Sequence, residues 1–303
     1  MHANSLSNLH RRTFLAQCSM GLGAAAFSTR LVAQESSSPA FKISLAQWTL
    51  VKELRSGTID NLDFAKVASD HGIHAIEYVN QFFMDKANDD SYLAEMKKRA
   101  ADAGVESVLI MCDREGNLGD PDEAKRMQTV ENHRKWIDAA KFLGCHSIRV
   151  NARSNGSWDE QVKLAADGLA RLTEFGSREG LNVIVENHGG LSSNADWLAE
   201  VITRVNHPNC GTLPDTGNFK ISDDESYDSY RGVEKLMKWA KGVSIKDTVW
   251  DDKGNQSPMD FERMMRIVVG AGYHGYCGIE FGGYQGLNRS RELLEQAREK
   301  IAA

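Results

Sequence analysis

Short apolar segments alternate with longer amphipathic segments along most of the chain. The longer segments, such as residues 122–144 and 159–180, carry apolar residues at three- and four-residue spacing, which is typical of helices with one buried face. The short segments are rich in Val, Ile and Leu and predict buried β-strands. The predicted strands are Lys42–Trp48, Ala75–Val79, Glu106–Met111, Ser147–Val150, Asn182–Glu186, Cys210–Leu213, Gly242–Lys246 and Gly275–Phe281.

The number of strand–helix repeats predicts the fold class. Eight such units in a chain of 303 residues indicate an α/β protein with a single (β/α)₈ TIM barrel. An open, doubly wound parallel sheet is the main alternative. Its G-x-G-x-x-G phosphate loop is absent here, because the first predicted strand leads into AQWTLVKEL.

The first 33 residues predict an export signal rather than part of the fold. Arg11 and Arg12 precede a Gly/Ala-rich apolar run that is too short to span a bilayer and ends at Ala33. Paired arginines are typical of the twin-arginine route, which exports folded proteins. We therefore expect a periplasmic or otherwise exported protein. Its predicted parts are a signal peptide over residues 1–33, a flexible leader over 34–40 and the barrel over 41–303.

The amino-acid composition limits the kinds of molecule that the protein is expected to bind. The formal net charge is −6, and loss of the three arginines in residues 1–33 would make it −9. Such a protein is disfavoured as a binder of nucleic acid or of an anionic membrane. No later segment is apolar and long enough to predict a membrane span. A homo-oligomer is compatible with this composition. The cysteines after residue 33 form no C-x-x-C pair and are predicted to be buried free thiols: Cys112, Cys145, Cys210 and Cys277.

Carboxylates follow three of the predicted strands at the end where TIM barrels carry their reactive residues. They are Glu186 in VENHGG, Asp215 in LPDTGNF and Glu280 in IEFGG. Joint ionisation of carboxylates held close together is unfavourable without a counter-charge. A bound divalent cation would supply that charge, and oxygen ligands suit Mn²⁺, Mg²⁺ or Co²⁺. The alternative is a metal-free network of ion pairs with Arg149 and Lys246.

Other side chains are predicted to lie at the same end of the barrel. Only His188, among the histidines after residue 33, follows a predicted strand, so a three-histidine zinc site is excluded. We expect His188 to contact substrate or metal. Trp48 and Trp250 either stack on the apolar face of a sugar or simply pack in the fold. The predicted substrate-binding residues are Trp48, Glu77, Arg149, Asn151, Asn218 and Trp250.

The ordered motifs VENHGG, PDTGNF, VSIKD and IEFGG on an eight-unit barrel resemble the xylose isomerase-like superfamily of sugar (phosphate) isomerases and epimerases. The resemblance covers essentially all of residues 41–303. It implies a divalent metal, Mn²⁺, Mg²⁺, Co²⁺ or Zn²⁺, held by Glu, Asp, His and Glu from strands five to eight. Glu186, Asp215 and Glu280 match three of these ligands, whereas Ser244 stands where the family has histidine in H-x-K-D. Asn218 likewise replaces a second family histidine. His188, Lys246 or water would then complete the metal shell.

The resemblance also implies a reaction. A divalent ion bound to two adjacent oxygens of an α-hydroxy carbonyl would acidify the neighbouring C–H and stabilise the resulting enediolate. The family's pair of metal-bound glutamates corresponds to Glu186 and Glu280, which we expect to act as acid and base. Lys246 and His188 would polarise the carbonyl or an oxyanion.

Together, the candidate site residues and the family resemblance predict a metal-dependent isomerase or epimerase of a sugar or polyol. We expect a non-phosphorylated substrate, because no glycine-rich phosphate loop with basic residues is evident after strand seven or eight. A lyase or dehydratase acting on a keto-sugar, keto-glycoside or inosose is the second hypothesis, since elimination begins with the same proton abstraction. A non-catalytic sugar-binding barrel is the third, because Ser244 departs from the family pattern.

Overall fold

Eight parallel strands form the central sheet of the computed structural model, which describes residues 39–302. The predicted signal peptide and most of the leader lie outside the described residues. The strands of the protein are β1 (Lys42–Ala46), β2 (Ala75–Val79), β3 (Glu106–Met111), β4 (Ser147–Val150), β5 (Asn182–Glu186), β6 (Cys210–Leu213), β7 (Val243–Ile245), β8 (Thr248–Trp250), β9 (Gln256–Pro258) and β10 (Tyr276–Ile279). The central sheet has the strand order β6-β5-β4-β3-β2-β1-β10-β7.

The barrel closes between β6 and β7. Two isolated parallel bridges join the strands there, Thr212 with Ala240 and Asp215 with Ser244. The Ser244 amide donates to the Pro214 carbonyl at 2.9 Å, and the Thr216 amide donates to the Ser244 carbonyl at 3.0 Å. The closed arrangement confirms the predicted (β/α)₈ barrel.

Helices connect the strands and surround the sheet. The fourth helix shows how local sequence sets their limits: the Asp122 side chain accepts a hydrogen bond from the Ala124 amide at 2.9 Å, and Gly144 ends the helix with φ 88°. The helices are α1 (Val51–Ser56), α2 (Phe64–Asp70), α3 (Asp90–Asp102), α4 (Glu123–Leu143), α5 (Trp158–Arg178), α6 (Ala195–Val205), α7 (Ser229–Leu236), α8 (Phe261–Gly270) and α9 (Gly283–Ala302).

Side chains that alternate along the strands form two apolar layers. The larger layer lies between strands and helices and includes Ile110, Ile148 and Val183. A smaller cluster fills the barrel lumen and includes Val79, Leu109, Ile184 and Leu213. The polar residues at the strand ends occupy the lumen beside this smaller cluster. They are therefore packed against apolar side chains.

Several boundaries differ from the sequence-based prediction. The first strand ends at Ala46 rather than Trp48, because Gln47–Leu50 turn into a 3₁₀ helix. The last barrel strand ends at Ile279 rather than Phe281. A two-stranded antiparallel hairpin of β8 and β9, which was not predicted, follows β7.

The structure confirms the predicted state of the cysteines. Cys112, Cys145, Cys210 and Cys277 are buried free thiols. Among residues 39–302, every helix is too short or too polar to cross a lipid bilayer.

Candidate active site

Three carboxyl groups converge at the C-terminal end of the barrel. Glu186 is the last residue of β5, Asp215 lies two residues after β6, and Glu280 directly follows β10. One oxygen of each side chain lies within 4.8 Å of the others. The residues are 0 %, 0 % and 6 % exposed. We refer to Glu186, Asp215 and Glu280 as the carboxylate cluster.

Two cations contact the carboxylate cluster. Lys246 Nζ lies 3.3 Å from Asp215 Oδ2 and 3.1 Å from Glu280 Oε1. It also donates to the main-chain carbonyl of Glu280 at 3.0 Å. Arg149 Nε lies 2.6 Å from Glu186 Oε2, in an ion pair without hydrogen-bond geometry. The ion pairs that the sequence suggested as an alternative to a metal are therefore present.

Asp113 also belongs to the site, although it was not among the site residues predicted from the sequence. Arg149 donates to Asp113 Oδ1 at 2.8 Å, and the Asn151 amide donates to the same oxygen at 2.9 Å. Gln81 donates to Asp113 Oδ2 at 3.0 Å. The position of Asp113, two residues after β3, is the sequence signal that could have identified it. Arg149 thus bridges Asp113 and Glu186.

Neighbouring side chains and backbone amides orient the cluster. The Ser244 hydroxyl donates to Glu280 Oε2. The Asn218 side-chain amide donates to Glu186 Oε1 at 2.9 Å. The backbone amides of Gly217 and Asn218 donate to Asp215 Oδ1 at 2.8 and 2.9 Å. Each cluster carboxylate therefore has one fixed oxygen.

The surroundings give the cluster members different proton affinities. Burial raises the pKa of Glu186 well above its ordinary value, although Arg149 opposes the shift. Burial also raises the pKa of Asp215, against the effect of Lys246. Burial would also raise the pKa of Glu280. The positive charges of Lys246 and Arg149 outweigh this effect, so that the pKa of Glu280 is lowered. The pKa of Glu186 therefore lies above that of Glu280.

The donor set fits a divalent cation. Glu186 Oε2 and Asp215 Oδ2 are buried and accept no hydrogen bond from any described residue. The cluster and Asp113 contribute four carboxyl groups, against two cations, Arg149 and Lys246. Two negative charges thus remain to be matched by protons or by one divalent ion, and carboxylate oxygens suit such an ion.

A cavity of ≈ 520 Å³ opens above the cluster. Its walls include His188, Asn218, Lys246 and Trp250. We call it the mouth cavity. Burial lowers the pKa of His188 to about 4, and Arg149 adds to this effect, so the imidazole is neutral at pH 7. Its Nδ1 atom is buried without a hydrogen-bond partner among the described residues. A ligand in this cavity would contact the side chains of His188 and Trp250, which form part of its wall.

Four of the six predicted substrate-binding residues do not line the mouth cavity. Arg149 and Asn151 contact Asp113, and Trp48 and Glu77 lie elsewhere in the described structure. Trp48 packs edge-on against Phe82, with ring centroids 5.9 Å apart, and Arg55 lies over its ring. Glu77 is fully buried in the lumen, where it accepts a hydrogen bond from the Ser44 hydroxyl at 2.6 Å. Neither residue lines the mouth cavity. Their predicted contacts with substrate stay predictions.

Comparison with known proteins agrees with this geometry. The family model described as xylose isomerase-like TIM barrel matches residues 65–302. The chain belongs to this family. The resemblance inferred from the four strand-end motifs is thereby confirmed.

One curated relative covers most of the xylose isomerase-like chain. It is the L-ribulose-5-phosphate 3-epimerase UlaE of Salmonella heidelberg (strain SL476), 25% identical over 279 residues, which are 89% of this chain and 92% of the relative. Two solved structures share the fold. A xylose isomerase domain protein from Planctomyces limnophilus has a TM-score of 0.68 and 19% identity, covering 88% of this chain and 99% of that chain. A xylose isomerase-like TIM barrel protein from Mycobacterium smegmatis in complex with magnesium has a TM-score of 0.65 and 16% identity, covering 87% and 98%.

Proposed function

We propose that this protein is a metal-dependent sugar isomerase or epimerase that transfers a proton at a carbon next to a carbonyl. The observation that carries the proposal is the buried carboxylate cluster at the mouth of a xylose isomerase-like barrel. The curated relative supports it, because that protein is named as an epimerase of a sugar phosphate and aligns over 89% of this chain.

The residues proposed to hold the metal are Glu186, Asp215 and Glu280, together with the Ser244 hydroxyl. The magnesium complex of a protein with the same fold supports a divalent ion in this kind of barrel. When bound, such an ion would polarise the carbonyl and hydroxyl oxygens of the substrate and stabilise the charge of an enediolate.

The chain's own residues supply the proton transfer. Glu280 is held in the ionised form by Lys246 and Arg149, so its carboxylate can accept a proton from carbon. Glu186, the other glutamate of the carboxylate cluster, would return a proton. Delivery to the opposite face of the same carbon gives an epimer, and delivery to the neighbouring carbon gives an isomer. Neutral His188 and cationic Lys246 line the cavity where the substrate oxygens would lie.

We propose a sugar or polyol with an α-hydroxy carbonyl as the substrate class. The non-phosphorylated substrate inferred from the sequence stays a prediction, as does export by the twin-arginine route. The lyase hypothesis uses the same first step and differs in the loss of a leaving group from the adjacent carbon.

The test combines metal analysis with hydrogen exchange into ketose substrates in deuterated water. The double variant Glu186→Gln/Glu280→Gln is compared with Glu292→Gln/Glu299→Gln, which changes two exposed glutamates of α9. We expect stoichiometric divalent metal and metal-dependent deuterium incorporation in the wild type and the control, and neither in the cluster variant. Wild-type protein that binds no added ion and exchanges no hydrogen would overturn the proposal. Products that have lost water or an alcohol would identify the lyase instead.

A further inference from the structure

The ladder of backbone hydrogen bonds between β5 and β6 ends just before the carboxylate cluster. Its last pair joins Glu186 to Leu213. The next residue after β6 is Pro214, which has no backbone N–H and cannot donate to a neighbouring strand. Asp215, a proposed metal ligand, therefore lies beyond the regular ladder, and groups other than the β5 backbone must hold it on this side.

The side chain of Asn187 takes the place of a backbone partner there. Its Oδ1 accepts a hydrogen bond from the Asp215 amide at 2.8 Å, and its Nδ2 donates to the Asp215 carbonyl at 2.9 Å. The same Nδ2 donates to the Asn218 carbonyl at 3.2 Å. A carboxamide has both an acceptor oxygen and a donor NH₂ group, so it can pair with a backbone segment as a peptide group would. Asn187 is fully buried, so this pairing is shielded from solvent.

The turn that Asn187 holds also orients the side chain of Asp215. Within the turn, the amides of Gly217 and Asn218 donate to Asp215 Oδ1. On the opposite side, the Thr216 hydroxyl accepts a hydrogen bond at 2.8 Å from the backbone amide that follows β7. Residues 215–218 are thus fixed between β5 and β7. Asp215 Oδ1 is committed to the turn, and Oδ2 is the oxygen without a hydrogen bond in the described structure.

The same contact occurs at a second pair of strands. Asn80 directly follows β2 and pairs with Asp113, two residues after β3. Its Oδ1 accepts a hydrogen bond from the Asp113 amide at 3.0 Å, and its Nδ2 donates to the Asp113 carbonyl at 2.9 Å. Asn80 is also fully buried. The two asparagines therefore make the same contact, but only Asn187 holds a member of the carboxylate cluster.

We propose that Asn187 is a positioning residue of the metal site, which fixes the backbone of Asp215 so that its carboxylate is directed at the carboxylate cluster. The proposal rests on the proposed function, because it requires that this cluster bind a divalent ion. Replacing a residue behind the direct ligands typically changes metal affinity by about 10–100-fold. A buried asparagine that only stabilised the fold would change unfolding and leave the metal affinity of the folded protein unaltered.

The test measures metal binding separately from folding stability. Mn²⁺ is titrated by calorimetry into the wild type, Asn187→Ala and Asn80→Ala, and each protein is unfolded by urea in the presence of a chelator. We expect similar losses of stability in the two variants, because each loses the same buried contact. We expect the Mn²⁺ affinity of Asn187→Ala to fall about tenfold or more. The change in Asn80→Ala should be much smaller, because Asp113 is not a proposed metal ligand.

Asn187→Ser is the second variant, and it replaces Asn187→Ala if the alanine variant does not fold. Serine keeps a polar group at this position but is too short to pair with both the amide and the carbonyl of Asp215, so the same loss of affinity is expected. Wild-type Mn²⁺ affinity in the Asn187 variants, or an equal fall in Asn80→Ala, would overturn the proposal. Wild-type protein that binds no Mn²⁺ would instead overturn the proposed function, and with it this role of Asn187.

Discussion

Lys246 Nζ lies 3.1 Å from Glu280 Oε1, and the same ammonium group is 3.3 Å from Asp215 Oδ2. One cation thus serves two buried carboxylates. If its charge is removed, the fold must keep those carboxylates neutral by protonation or bind another cation.

Lys246→Met is therefore expected to destabilise the protein by ~3–5 kcal/mol in the presence of a chelator, the usual cost of breaking a buried ion pair. Added Mn²⁺ should restore part of the loss, because a bound ion supplies the missing charge. Urea denaturation with and without metal measures both effects. Lys52→Met, at an exposed position of α1, is the control. An equal loss with and without metal would show that the ion does not replace the lysine.

Metal binding should release protons. Burial raises the pKa values of Glu186 and Asp215, whereas a metal binds their ionised forms. We expect the affinity for Mn²⁺ to increase as the pH rises. Calorimetric titrations in two buffers of different ionisation enthalpy should give different apparent binding enthalpies. Identical enthalpies in both buffers would mean that the cluster is already ionised.

Glu77 should make stability depend on pH. Burial raises its pKa from 4.5 to about 8, although the Ser44 hydroxyl opposes the shift. Between these two values the unfolded chain releases the proton and the folded chain retains it, so stability falls as the pH rises through this window. Glu77→Gln removes this effect. Its melting temperature should therefore exceed that of the wild type by an increasing margin toward pH 8. Glu292→Gln, at an exposed position of α9, is the control. A constant difference for Glu77→Gln would contradict the assignment.

Helix α5 packs closely on the loop after β3. A Cβ atom on Gly168 would overlap the carbonyl oxygen of Leu118. Gly168→Ala should therefore cost ~1–3 kcal/mol, the usual range for overpacking. At Gly270, the last residue of α8, an added Cβ meets no atom within 4 Å. Gly270→Ala should be neutral or stabilise by up to ~0.5 kcal/mol. Chemical denaturation compares the two variants, and equal stabilities would refute the close contact.

The regular part of the fold was predictable from the sequence because its apolar periodicities are long and repeated. The eight barrel strands were identified in the correct order, since each is a buried run between amphipathic helices. The β8–β9 hairpin was missed because its strands have only three residues each and all three residues of β9 are exposed. Strands of this length contain too few residues for sequence analysis to detect an alternation.

The candidate site was predictable only in part. Position at a strand end was sufficient to identify Glu186, Asp215 and Glu280, because the barrel topology brings such residues together. The sequence suggested Arg149 and Lys246 as the cations but did not show which carboxylate each one contacts: Arg149 reaches both Glu186 and Asp113 across the lumen. Arg153, which lines the mouth cavity, lies in an irregular loop, where the sequence does not show which side chain faces a cavity.

The seam between β6 and β7 coincides with the carboxylate cluster. Asp215 and Ser244 form one of the two bridges that close the barrel, and Ser244 contacts Glu280 on the far side. A ligand bound to the carboxylate cluster would therefore link β6 and β7, the two strands between which the sheet closes. Ligand affinity at this site and the resistance of the closed barrel to unfolding should therefore rise and fall together.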